Sequence, residues 1–148
     1  MSDVRIAAEM IADGIHVHPA VLSILARLKT ATNLLLITDA MSATGLGDGE
    51  YTLGDLPVHV SGGIATLKSD HGALAGSTLT MIRGFRYLLS EVGLSLQAAS
   101  RAASLNPAIS LGLDQQIGTL ESGKQADILL LDSSYNLLSV WVKGRKIV

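Results

Sequence analysis

"LLLITDAM", residues 34–41, opens with a continuous apolar run that is too short for a typical helix. It also lacks the alternation of a half-exposed strand, and the pattern fits a strand buried on both faces of a parallel sheet. Upstream, Pro19 stands where a helix would begin, and Val21, Leu22, Ile24, Leu25 and Leu28 make an apolar stripe at helical spacing. Before it, RIAAEMIADGIHV, residues 5–17, reads as a short helical or irregular lead followed by a strand ending near His16. Strand, helix and strand in this order form one βαβ unit with a right-handed crossover. The fold class is α/β.

Downstream the pattern changes. Residues 41–72 are rich in glycine and contain YTL, PVHVS and IATLK, with Ser61-Gly62-Gly63 turning one strand onto the next. This predicts a β-hairpin excursion at about 45–72. At LAGSTLTM, residues 74–81, Ser77 or Thr78 can cap a helix carrying Leu79, Ile82, Phe85 or Arg86, and Leu89 on one face as far as Gly93. A further helix starts at Ser95 and is expected to stop near Asn106-Pro107. From Ile117 the chain alternates turns with short strands: IGTL, the turn ESGK, ADILLLD and LSVWVKGRKIV.

The composition narrows the function classes. The chain has 148 residues, of which 48% are hydrophobic, enough for one packed core. Lys and Arg total 11 against 13 Asp and Glu, a net charge of −2, and aromatics make up only 3%, so neither a basic footprint nor a stacking platform for nucleic acid is present. There is no cysteine, which excludes disulfides and thiolate metal sites and suits a reducing compartment; a cytoplasmic location is expected. No run of 18 apolar residues occurs and MSDVRIAAEM lacks a signal-peptide layout, so no membrane partner is expected.

Asp39 is the sharpest chemical candidate, because it follows a buried strand at its carboxyl end, where parallel α/β sheets bind ligands and project catalytic groups. A carboxylate at that margin can be tuned for general acid/base work, while the bland reading makes it a turn cap. His16 would reach the same rim from the neighbouring strand. His16 and His18 stand at i and i+2, and a strand through both would put them on one face, able with Asp39 to grip a metal ion. Pro19 after His18 instead favours solvent or a helix cap for that residue. His59 and His71 fall in the hairpin excursion at no metal-type spacing. LAGS, residues 74–77, would offer the unpaired N–H groups of a helix start to an anion or a carbonyl oxygen, or would simply be a cap. Lys124 and Asp127 read as turn chemistry.

Taken in order, ADGIHVHP, LLLITDAM, DGEYTLG, LAGSTLTM, SLNPA and IGTLESGKQADILLLD resemble the C-terminal part of the N-acetylglucosamine-6-phosphate deacetylases, a family of the amidohydrolase superfamily. The likeness runs from about Ile6 to Val148. It implies a (β/α)8 barrel beside a small β-sandwich, with ADGIHV as the seventh barrel strand and LLLIT as the eighth. Residues 1–115 would then be the C-terminal part of the barrel and 116–148 strands of the sandwich. The implied reaction is hydrolysis of N-acetylglucosamine 6-phosphate to glucosamine 6-phosphate and acetate. Asp39 would be the catalytic carboxylate. Asp13, Gly14, Ile15 and His16 would form the substrate segment in which the histidine helps hold the sugar phosphate, and Leu74, Ala75 and Gly76 would line the substrate pocket.

The same resemblance implies a divalent metal, zinc or similar, held by a glutamate and two histidines on earlier strands, and no segment here matches those. A complete barrel takes roughly 250 residues, against two barrel strands read in this chain. Uncovered strand edges predict self-association as a homo-oligomer or association with a missing N-terminal part. A second reading is a non-catalytic module that binds or senses a sugar phosphate.

Overall fold

The structure, a computed structural model, describes residues 3, 5–29, 33–69 and 72–148. Its first unit is strand β1 (Ala8–Ile11), helix α1 (Pro19–Leu28) and strand β2 (Leu34–Ile37), with β1 and β2 parallel and Ala8 opposite Leu34. This is the βαβ unit expected from the sequence, with one correction. The first strand is AEMI, and residues 12–18 after it are loop. Leu34, Leu35 and Leu36 are all buried and accept only a partner that lies flat beside them. AEMI meets that demand by placing Met10 in the core, at 1% exposure. DGIHV cannot, because Gly14 takes φ +76 and breaks the extended backbone.

Helix α1 is capped as its sequence suggests. Pro19 fixes the first turn, and the Nδ1 of His18 accepts the N–H of Ala20 at 3.2 Å. His18 is therefore a helix cap, and the pairing of His16 and His18 on one strand face does not occur.

Between β2 and the next helix the chain makes an antiparallel sheet of β3 (Gly49–Leu53), β4 (Leu56–Ser61) and β5 (Ile64–Leu67). It is the expected excursion, turned at Gly62 and Gly63, whose N–H groups both bond to the Asp48 carboxylate at 2.7 and 3.0 Å. Val58, Val60 and Ala65 from this sheet pack with Met41, Ala43 and Ala75 in a small core of their own.

Helix α2 (Met81–Ser90) begins after Thr80, later than the LAGST reading predicts. Ser77 is held in extended backbone beside Ala40, giving its N–H to Asp39 and taking the N–H of Met41. Helix α3 (Leu96–Ser100) starts as expected, with Ser95 Oγ accepting the N–H of Ala98. It does not stop at Asn106-Pro107. A π-helical turn over Arg101–Leu105 leads into α4 (Asn106–Ser110). The wider turn keeps the helical backbone unbroken, with the Asn106 N–H on the Arg101 carbonyl, and so carries the chain through Pro107 without ending the helix. Asn106, 1% exposed, gives an Nδ2 hydrogen bond to the carbonyl of Leu34 at 2.8 Å.

Phe85 and Leu88 of α2 and Ala99 and Ala102 of the following helical stretch join Met10, Leu22, Leu34 and Leu36 in the main core. The tail forms an antiparallel sheet of β6 (Ile128–Leu131), β7 (Leu137–Val142) and β8 (Arg145–Lys146); IGTL, predicted as a strand, is a run of bends. Arg86 of α2 fastens this sheet by donating to the Tyr135 carbonyl at 2.9 and 3.0 Å and to Asn136 Oδ1 at 2.7 Å. Phe85 meets the Tyr135 ring edge-on at 6.0 Å. Lys124 and Asp127 make turn contacts, to Thr119 Oγ1 and to the N–H of Lys143. Among the described residues no helix is long and apolar enough to cross a membrane.

Candidate active site

The loop leaving the carboxyl end of β1 is organised by one side chain. Asp13 Oδ1 accepts the N–H groups of Ile15 and His16 at 2.9 and 3.0 Å, and Oδ2 meets His16 Nδ1 at 2.7 Å. The carboxylate side chain is only 3% exposed and the imidazole 16%. Burial alone would push the Asp13 carboxyl up, but the N–H of His16, the N–H of Ile15 and the His16 ring outweigh it and hold Asp13 below the usual carboxylate range. A carboxylate only accepts, so His16 carries its proton on Nδ1 and keeps Nε2 for a ligand.

Five of the residues singled out in the sequence, Asp13, Ile15, His16, Leu74 and Gly76, line one pocket. Sequence reasoning missed Gly63, Ile64 and Ala65 in the rest of the lining; it marked Ser77 as part of the LAGS segment and Thr78 only as a possible helix cap. Gly63 and Thr78 are joined by the Thr78 hydroxyl, which donates to the Gly63 carbonyl at 2.5 Å. The pocket encloses about 10 Å³, room for about a single water. These residues thus form one wall of a site for anything larger. A wider recess of about 290 Å³ shares Gly63 and Thr78 with it, but none of residues 13–16 reaches it.

Ala75 and Gly14 stand behind this wall. Ala75 is 2% exposed and points into the small core, while Gly14 faces the ring of Tyr87. The LAGS segment is not the helix start expected from sequence. Ala75 N–H bonds to the Ala65 carbonyl at 3.0 Å and Ser77 N–H to the Asp39 carbonyl at 2.8 Å, so neither is free for an anion.

Asp39 lies two residues past the end of β2, exposed, at φ +50. Its carboxylate does not line the pocket, yet its carbonyl is bound to the pocket wall through Ser77. A non-glycine residue in left-handed backbone is uncommon and aspartate is among those that tolerate it. Among the described residues no three His, Asp, Glu or Cys side chains gather to hold a metal ion. His59 instead pairs with Glu50 at 2.9 Å on the hairpin surface, and His71 lies outside the described residues.

The family model described as Amidohydrolase family matches residues 1–147. The chain belongs to the amidohydrolase family. Among curated relatives of this amidohydrolase, the N-acetylglucosamine-6-phosphate deacetylase of Vibrio furnissii is 44% identical over 93% of the chain, which spans 34% of that protein. A putative N-acetylgalactosamine-6-phosphate deacetylase of Escherichia coli K12 is 41% identical over 98% of the chain, which spans 85% of it. Among solved structures, that of the N-acetyl-D-glucosamine-6-phosphate deacetylase D267A mutant from Mycobacterium smegmatis, in complex with N-acetyl-D-glucosamine-6-phosphate, superposes with a TM-score of 0.92 at 39% identity. The match covers 99% of this chain and 39% of that one. The deacetylase from Pasteurella multocida gives 0.92 at 28% identity, over 98% and 38%. The amidohydrolase chain thus spans about a third of the length of most of these relatives.

Proposed function

We propose that this amidohydrolase chain carries the C-terminal share of a deacetylase site for N-acetylglucosamine 6-phosphate. The observation that carries the proposal is the wall built from Asp13, Ile15, His16, Leu74 and Gly76, one backbone hydrogen bond from Asp39. The names of the relatives and the bound sugar phosphate of the Mycobacterium smegmatis structure support the same reading. In it, residues 1–115 are the last part of the barrel and 116–148 belong to the small β-sandwich.

In this reading His16 binds and orients. Its Nδ1–H is spent on Asp13, so Nε2 is left to accept from a sugar hydroxyl or, once protonated, to donate to a phosphate oxygen. Ile15 and Leu74 supply apolar surface and exclude water from that contact. Asp39 handles the proton. It takes one from the water that attacks the acetyl carbonyl carbon and returns one to the sugar nitrogen as the C–N bond breaks, so that acetate and a free amine leave. For the divalent ion of the family, zinc or similar, the described residues offer no cluster of three ligands.

The test is reconstitution. The chain is mixed with a separately produced N-terminal piece of a deacetylase relative, in the presence of zinc, and acetate release is followed. Activity that needs both pieces and is lost in Asp39→Asn supports the proposal. Wild-type activity in the Asp39→Asn mixture overturns the role of Asp39. Binding of the sugar phosphate to the chain alone, with no turnover in any mixture, favours a sensing module. The galactosamine epimer is the necessary competitor, because a relative of similar identity carries that name.

A further inference from the structure

Gly14 has φ +76, and a Cβ built on it would stand 2.7 Å from the Tyr87 hydroxyl oxygen and 3.1 Å from the ring atoms Cε2 and Cζ. Two independent demands, backbone sign and space, therefore fall on one residue of the Asp13–His16 turn. The space is taken by a side chain from a different element, far along the chain. Tyr87 lies on α2, between the buried Phe85 and Leu88, and its ring packs against the main core. Burial, then the carboxylates of Glu91 and Asp13, push the Tyr87 phenol up, so it presents a neutral face to the turn at ordinary pH.

We infer that Tyr87 is a positioning residue for His16: its phenol ring fills the space over Gly14 and fixes the turn in which Asp13 holds the imidazole. The inference rests on the proposed role of His16 toward the sugar phosphate. The hydrogen bonds that shape the turn are local, from Asp13 to Ile15 and His16. These bonds define the turn, and the ring of α2, by filling the space over Gly14, keeps the backbone in the one conformation that lets Asp13 reach the imidazole. A displaced turn would carry His16 away from Leu74 and Gly76 on the facing wall. Side chains held by a second layer of packing keep a site within the fractions of an ångström that binding requires.

The experiment is long-range proton–nitrogen NMR of the His16 ring in the chain as it is, at a pH where the imidazole is neutral. Wild type is expected to show one tautomer, Nδ1–H with bare Nε2, and cross-relaxation between Tyr87 ring protons and the Gly14 Hα. Tyr87→Phe keeps the ring and should keep both signatures. Tyr87→Leu and Tyr87→Ala, checked for folding by circular dichroism, should lose the single-tautomer pattern. A folded Leu or Ala variant with the wild-type His16 spectrum overturns the inference. So does a wild-type chain without the Tyr87–Gly14 cross-relaxation, which needs no variant to fold. Adding N-acetylglucosamine 6-phosphate separates this inference from the functional proposal. If the sugar phosphate leaves the His16 resonances unmoved while the tautomer still depends on Tyr87, the positioning role stands and the ligand assignment fails.

Discussion

The carbonyl oxygen of Asp39 accepts the N–H of Ser77 at 2.8 Å, and in the reverse sense the Ser77 carbonyl accepts the N–H of Met41 at 2.9 Å. This exchange ties the residue proposed to move the proton to the wall proposed to hold the sugar, with Gly76 between them.

Gly76 is the closest-fitted point of that junction. Its φ is +67, and a Cβ there would stand 3.1 Å from the Asp39 carbonyl oxygen and 3.3 Å from Met41 Cβ. Gly76→Ala is expected to cost about 1–3 kcal/mol from backbone strain and crowding together. Urea denaturation measures it; an unchanged midpoint would show that the junction yields freely.

Asp39 combines exposure with left-handed backbone at φ +50. Asparagine tolerates that conformation, so Asp39→Asn should stay within about 0.5 kcal/mol of wild type. Alanine there should cost up to about 1 kcal/mol, because it keeps the Cβ in left-handed backbone and loses the short polar side chain that lets aspartate and asparagine tolerate it. In the reconstituted enzyme both should lower acetate release by about 10²–10⁴-fold. Two variants that differ in stability but not in activity loss would separate chemistry from folding.

The lowered carboxyl of Asp13 has a pH signature. Folded Asp13 binds its proton less readily than the unfolded chain, whose ordinary value is 3.8. Its stabilising contribution is therefore complete above that value and is lost as pH falls through the lower, folded one. Asp13→Asn should destabilise the chain at neutral pH by about 1–3 kcal/mol. The gap between variant and wild type should narrow below about pH 4. A gap that stays constant from pH 7 down to pH 3 would contradict this assignment.

Asn106 ties the helical stretch to the sheet through the Leu34 carbonyl. Asn106→Leu leaves that buried acceptor unsatisfied and should cost about 1–3 kcal/mol. Amide exchange in β2 should quicken by the corresponding factor, and unchanged protection would sink the idea.

The sequence showed α1 and β2 directly, because Pro19, the 21–28 stripe and LLLI each satisfy one local pattern without rivals. The first strand was displaced because Ala7, Ala8, Glu9 and Met10 are good helix formers while Ile15 and Val17 favour strands. Pairing of Ala8 with Leu34 overrode both preferences. Ser77 and Thr78 advertise a helix cap, yet Ser77 spends its backbone on Ala40's neighbours, a demand made by residues far away in sequence. The segments 13–16 and 74–76, from which Asp13, Ile15, His16, Leu74 and Gly76 reach the pocket, were legible. What closes over them, Gly63, Ile64 and Ala65, was not, because only the folded hairpin brings those residues there.

The pairing of Ala40 with Ser77 means that the whole β3–β5 excursion enters and leaves the molecule through a single doorway. Its ends stay side by side whatever lies between them, so the excursion is a cassette: its length and surface can be exchanged while the main core is left alone. A chimera carrying another relative's excursion between residues 41 and 76 should therefore fold with this chain's main core while the pocket wall at Gly63, Ile64 and Ala65 is replaced.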